Sequence, residues 1–162
     1  MIRSSAARFK LAVAAAAAAM GAAVPTAALT VSCTVSTLPA SFGIYNPLVS
    51  TPAVTTGTID VACTCTLVDC VAFGYRIEVS AGQSGSTAAR EMRADGGRLR
   101  YNLYSDAGYG TVLGTGGAGY SVLYLVALFG SKQTTVVYAR APAGQNVPAG
   151  SYSDAPVVTI FY

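Results

Sequence analysis

Between residues 73 and 80 the chain alternates strictly, with Phe73, Tyr75, Ile77 and Val79 on one parity and Gly74, Arg76, Glu78 and Ser80 on the other. Side chains two apart on an extended chain share a face, so this stretch predicts a strand with one side buried and one side wet. The same period recurs at 29–36, where Leu29, Val31, Cys33 and Val35 oppose Thr30, Ser32, Thr34 and Ser36, and at 58–64 through Ile59, Val61 and Cys63. It returns at 98–105 through Leu99, Tyr101 and Leu103 and in the closing stretch 146–162, and 134–141 reads as a further strand. There a Pro-Ala-Gly turn feeds a β-branched run in which Val158, Ile160 and Tyr162 share one parity. No long helix-period pattern follows the first two dozen residues, so the core must be closed by strands.

Residues 120–129 are apolar on both parities, and their Tyr and Val content together with the closing glycine favours strand over buried helix. Residues 109–113 read as a short strand, 41–47 as a brief extended piece ending at an Asn-Pro turn, and 51–57 and 82–97 as connections. Six main strands at irregular spacing, crossed by long connections, predict an all-β, Greek-key β-sandwich rather than an up-and-down barrel. With 162 residues, 52% of them hydrophobic and 10% charged, the chain has room for one domain with a sizeable core.

The first 28 residues stand apart. Arg3, Arg8 and Lys10 precede an uncharged, Ala-rich run from 11 to 24 that is followed by Pro25 and small residues, the pattern of a secretory signal peptide cleaved after Ala28 or after Ala23. The apolar run is interrupted before the ~20 residues that a bilayer-spanning helix needs. The domain is then 29–162, with no membrane span after the signal is removed. Without the leader, seven basic residues face seven acidic ones, so the formal charge of +3 belongs to the signal. A neutral chain has little general field for nucleic acid, and the local cluster Arg90, Arg93, Arg98 and Arg100 reads as a solvated surface.

An even number of cysteines in an exported chain points to disulfides, and Cys33, Cys63, Cys65 and Cys70 allow three pairings. Parity places Cys33 and Cys63 on inward faces of neighbouring strands and favours that pair, leaving Cys65 with Cys70, although the sequence itself leaves the pairing open. A metal site at Cys63, Cys65 and Cys70 has no histidine and no fourth local ligand. The chain contains no histidine at all, so Ser-His and Cys-His couples cannot be assembled. Gly114, Gly116 and Gly119 spell GxGxxG but lack the flanking strand, helix and acidic residue of a dinucleotide site, and Gly82, Ser84 and Gly85 fit a nucleophile elbow only loosely. No catalytic, metal or cofactor site is expected, and the reading is that the protein is not an enzyme.

An ordered set of short motifs carries a family resemblance. After Cys33 come FGxYNP (Phe42, Gly43, Tyr45, Asn46, Pro47), TGxIxVxC (Thr56, Gly57, Ile59, Val61, Cys63), and YxIxxSxG (Tyr75, Ile77, Ser80, Gly82). LxYNLYxD follows (Leu99, Tyr101, Asn102, Leu103, Tyr104, Asp106), then VYxR (Val137, Tyr138, Arg140, with Ala139 where the pattern usually has glycine) and VPAGSYSD. In this order, from about 31 to 162, the chain resembles the spore coat protein U domain, a family that includes pilins of the archaic chaperone-usher pathway.

The resemblance implies an immunoglobulin-like sandwich lacking its final strand. It implies assembly into a surface pilus by donor-strand complementation, with a periplasmic chaperone, an outer-membrane usher and neighbouring pilus subunits as partners, and adhesion or biofilm formation as the purpose. By analogy the receiving groove runs between Val31 and Val35 on one rim and Val158, Ile160 and Tyr162 on the other. Cleavage after Ala23 or Ala28 is expected to leave little chain ahead of Cys33 to donate, which suits a terminal subunit. The alternatives are a self-contained spore-coat or matrix protein and a secreted carbohydrate-binding module that uses Tyr104, Tyr109 and Tyr120.

Overall fold

The computed structural model describes residues 30–66, 73–124 and 131–161. The expected signal segment 1–28, Leu29, Cys70 with its expected partnership to Cys65, residues 125–129 of the expected apolar strand, and Tyr162 lie outside the described residues. The described residues form eight strands: β1 (Thr30–Leu38), β2 (Ala53–Thr66), β3 (Phe73–Val79), β4 (Arg90–Ala94), β5 (Gly97–Tyr104), β6 (Tyr120–Tyr124), β7 (Ser131–Ala141) and β8 (Val158–Phe161). They make two antiparallel sheets, one in the order β1-β2-β7-β5-β4 and one in the order β6-β3-β8.

The inward parities meet in one core. Ile59, Val61 and Cys63 of β2, Val137, Ala139 and Ala141 of β7, and Tyr101 and Leu103 of β5 pack in a single cluster with Tyr75, Ile77 and Val79 of β3 from the other sheet. Two sheets sharing one apolar layer are a sandwich, and the fold is all-β and immunoglobulin-like, as expected. Ala139 is fully buried, so a small side chain on this inward face is what the packing takes. Cys33 and Cys63 stand directly opposite in the β1–β2 register and are disulfide-bonded. The bond thus joins the two inward positions that parity favours as a pair.

The structure departs from the sequence reading in three places. Residues 53–57 belong to a 14-residue β2 rather than to a connection. The stretch 109–113 contributes one isolated bridge, Tyr104 to Val112, in place of a strand. The connection 82–97 contains β4, which pairs with β5 from Arg90 opposite Tyr101 to Ala94 opposite Gly97. Strand β4 shows no apolar alternation in the sequence because its first inward residue is an arginine.

Arg90 is fully buried, not solvated. Its guanidinium donates to the carbonyls of Ser80, Val79, Leu113 and Thr87 and to Asn102 Oδ1, at 2.7 to 3.2 Å. A buried cation is tolerable only when its donors are used, and here all the acceptors but Asn102 are main-chain carbonyls. These acceptors come from both sheets and from the segment crossing between them, so Arg90 seals one side of the sandwich.

Candidate functional site

The other side is open. Among the described residues β1 pairs only with β2 and β8 only with β3, so each carries one uncovered edge. Between the two edges lies a cavity of about 350 Å³, lined by Thr37 and Leu38 of β1 and by Ala155, Pro156 and Val158 at the approach to β8. Its floor is the core itself, including Ile59, Val79, Leu103 and Val137. A solvent-reachable apolar floor between two unpaired edges is the geometry that accepts an added β-strand.

Burial along β1 shows what is uncovered. Val31 and Cys33 on the inward parity are half-buried, but Val35 on the same parity is 41% exposed and Leu38 is 65% exposed. Across the slot, Val158 and Ile160 are half-buried, packed against the core, and paired with Val79 and Ile77 of β3. Of the groove residues expected by analogy, Val31 and Val35 lie on β1 and Val158 and Ile160 on β8; Val158 lines the cavity, Val31, Val35 and Ile160 do not, and Tyr162 lies outside the described residues. The analogy did not name Leu38, Phe42, Met92 and Tyr101, which also line the cavity.

Those residues arrive through the motifs. At Gly57 a Cβ would stand 2.6 Å from the Leu38 carbonyl oxygen and 3.0 Å from Ala40 N, so only glycine lets the chain leaving β1 cross over β2. That crossing carries Phe42 to the Tyr101 ring, edge to face at 6.1 Å. Tyr45 then fastens the segment to the far end of the sheet, its hydroxyl donating to Pro142 O at 2.6 Å and accepting from Gln145 N at 3.0 Å. The FGxYNP and TGxIxVxC motifs therefore build one wall of the slot.

The closing motif builds the other wall. Ser153 pairs through its backbone with Arg93 of β4, and the chain then passes from the five-stranded sheet to the three-stranded one. Asp154 anchors this passage. Its Oδ2 accepts from Tyr101 OH at 2.8 Å and its Oδ1 accepts from Gln83 N at 2.9 Å and Ala155 N at 2.8 Å. The carboxylate lies where a Cβ on Gly82 would be, and Gly82 has φ +63°, so the glycine of YxIxxSxG is required twice over. Burial, and then the bond to Asp154, hold the Tyr101 phenol far above its usual range and therefore neutral. Ser80 completes the anchor, its Oγ accepting from Val157 N at 2.8 Å and its N–H donating to Val157 O at 2.9 Å. The β8 edge is thus positioned by polar bonds behind it, and its front is left unpaired.

Among the described residues no group of three or more histidine, cysteine, aspartate or glutamate side chains could hold a metal ion. The GxGxxG string falls on a short 3-10 turn, Gly116–Ala118, and does not open an α-helix. No helix of the described residues is long and apolar enough to cross a membrane.

Comparison with known proteins agrees with the motifs. The family model of the Spore Coat Protein U domain matches residues 17–159. Protein U of Myxococcus xanthus is 33% identical over 133 residues, which cover 75% of this chain and 70% of that protein. Among solved structures, the fold is similar to a chain of the CsuC-CsuE chaperone-tip adhesion subunit pre-assembly complex, from the archaic chaperone-usher Csu pili of Acinetobacter baumannii. That match has a TM-score of 0.54 at 18% identity and covers 82% of this chain. The chain spans 40% of the length of its counterpart there.

Proposed function

The chain belongs to the spore coat protein U domain family, and from that premise we propose that it is an exported structural subunit of a chaperone-usher type surface pilus. The observation that carries the reading is the apolar slot between the unpaired edges of β1 and β8. Added backbone satisfies the two rows of free N–H and C=O groups, and its alternate side chains enter the slot and fix the register. In transit the occupant is a strand of a periplasmic chaperone. After passage through an outer-membrane usher, it is a strand of the neighbouring subunit.

The remaining features of the proposal follow from export. Residues 1–28 act as the signal peptide, the domain from 29 onward reaches the cell surface, and the fibre serves adhesion or biofilm formation. A terminal place in the fibre is part of the same reading, because residues 30–38 are already hydrogen-bonded to β2 and are not free to be donated.

The test is to produce the chain alone and together with a chaperone of the chaperone-usher type. Alone it is expected to aggregate or to exchange strands, whereas with the chaperone it is expected to purify as an equimolar complex. A stable, soluble monomer without chaperone or added strand overturns the proposal, and leaves a self-contained coat or matrix protein.

A further inference from the structure

The outer face of the five-stranded sheet, opposite the core, has a composition that the slot does not explain. Arg98, Arg100 and Tyr104 alternate outward along β5, over about 20 Å at the usual strand rise. Register places Tyr138 of β7 directly opposite Tyr104 and Arg140 opposite Asn102, so Arg140 is the diagonal neighbour of Arg100. Tyr109 joins them from the loop after β5, its ring edge-on to Tyr104 at 5.4 Å and beneath the Arg140 guanidinium at 5.5 Å.

Two observations show a built feature. Tyr109 has φ +56°, and among the described residues it is the one non-glycine in the left-handed region, a conformation that costs a residue with a side chain. The loop is held there by Asp106, whose carboxylate accepts from Gly110 N at 3.1 Å and Thr111 N at 2.6 Å. Gly108 and Gly110 flank Tyr109, yet the side chain occupies the strained position between them.

Charge decides what the face suits. Among the described residues no carboxylate lies within ion-pair distance of Arg100 or Arg140, and Arg98 reaches Glu91 only at 3.4 Å. Glu91 of β4 stands opposite Arg100 in the register and is the one carboxylate of β4 and β5, so Arg98, Arg100 and Arg140 outnumber it on this face although the basic and acidic residues after the leader are equal in number. Guanidinium forks match carboxylates two bonds at a time, and half-exposed tyrosines offer apolar edges with hydroxyl tips. Base stacking needs open ring faces, but these rings are turned against one another and against Arg140.

We propose that this outer face binds an acidic, carboxylate-bearing polysaccharide through Arg98, Arg100 and Arg140, with Tyr104, Tyr109 and Tyr138 as the apolar platform. The site lies on the opposite face of the sheet from the core and the slot, so its occupancy is independent of strand capture.

The experiment measures binding of the intact protein, held soluble in its chaperone complex, to immobilised polygalacturonate, with neutral dextran, duplex DNA and the chaperone alone as parallel arms. Saturable, salt-sensitive binding to polygalacturonate and none to dextran is expected. Arg100→Gln with Arg140→Gln is expected to lower affinity by about tenfold or more, and Tyr109→Ala by roughly threefold to fivefold. If the double variant does not fold, Arg98→Gln with Arg100→Gln, both at exposed side chains, carries the same decision. Absence of binding, equal affinity for duplex DNA, or affinity unchanged in the arginine variants overturns the proposal.

Discussion

The two sides of this sandwich meet the same problem with opposite outcomes. On the β4 side a fully buried Arg90 joins Val79, Ser80, Leu113, Thr87 and Asn102, so the segment that ends at Leu113 is tied across it. On the β1 side the corresponding space is an apolar cavity flanked by two unpaired strand edges. Polar groups close the first side, whereas on the second the apolar core remains reachable. The openness of the slot is therefore local, and the rest of the fold is built to hold its two rims apart.

The largest effect is expected on the sealed side. Arg90→Met leaves four carbonyls and an amide oxygen without their donor and should cost about 3–5 kcal/mol, read as a lowered urea midpoint or as failure to fold. A loss below about 1 kcal/mol would break the contrast by showing that the arginine seals nothing. Next comes the tie that holds β1 to β2. Removing the Cys33–Cys63 bond, which spans 30 residues, should cost roughly 3–4 kcal/mol in the same measurement. Gly57→Ala brings a methyl group against the Leu38 carbonyl and should cost about 1–3 kcal/mol, with weaker strand capture because the Leu38–Phe42 wall shifts.

The open side should respond differently. Leu38 is mostly exposed, so Leu38→Asp is expected to change the stability of the isolated chain by less than about 0.5 kcal/mol. It places a carboxylate in the slot, and should weaken capture of a chaperone strand about tenfold in a competition assay. Equal losses of folding and capture would erase the distinction between the two sides.

How much of this could be read from the sequence depended on which residues point inward. Strands β3 and β5 were legible because their inward residues are apolar at every second position, and β7 through Val137, Ala139 and Ala141 at its end. Strand β4 was not, because Arg90 occupies an inward position and breaks the hydrophobic alternation. Val31, Val35, Val158 and Ile160 were named as groove residues by analogy with the family, and of these Val158 lines the cavity. Phe42, Met92 and Tyr101 reach the slot from three different segments, brought together by the crossing at Gly57 and the anchor at Asp154, and no local period encodes such a meeting. The outer patch was half legible. Arg98 and Arg100 read correctly as surface, but their adjacency to Arg140 and Tyr109 depends on strand order and on a strained loop.

The smallest expected effect concerns that loop. Bonds from Gly110 and Thr111 N–H hold the Asp106 carboxyl below its usual value, so it supports the loop above its unfolded pKa near 4 and releases it as pH falls below that. The Tyr109 ring signals in NMR should lose their close contact with Tyr104 across that acid range. In Asp106→Asn the pH dependence should vanish.

The central claim is that β8 and β1 present free edges to a strand supplied from outside. Amide hydrogen exchange at 31–38 and 158–161 tests it most directly, comparing the chain in complex with a chaperone and the same chain after the chaperone is displaced. Slow exchange in the complex and fast exchange after displacement, with the β4–β5 side unchanged, is the predicted result. Equally slow exchange at both edges in the free chain would contradict it.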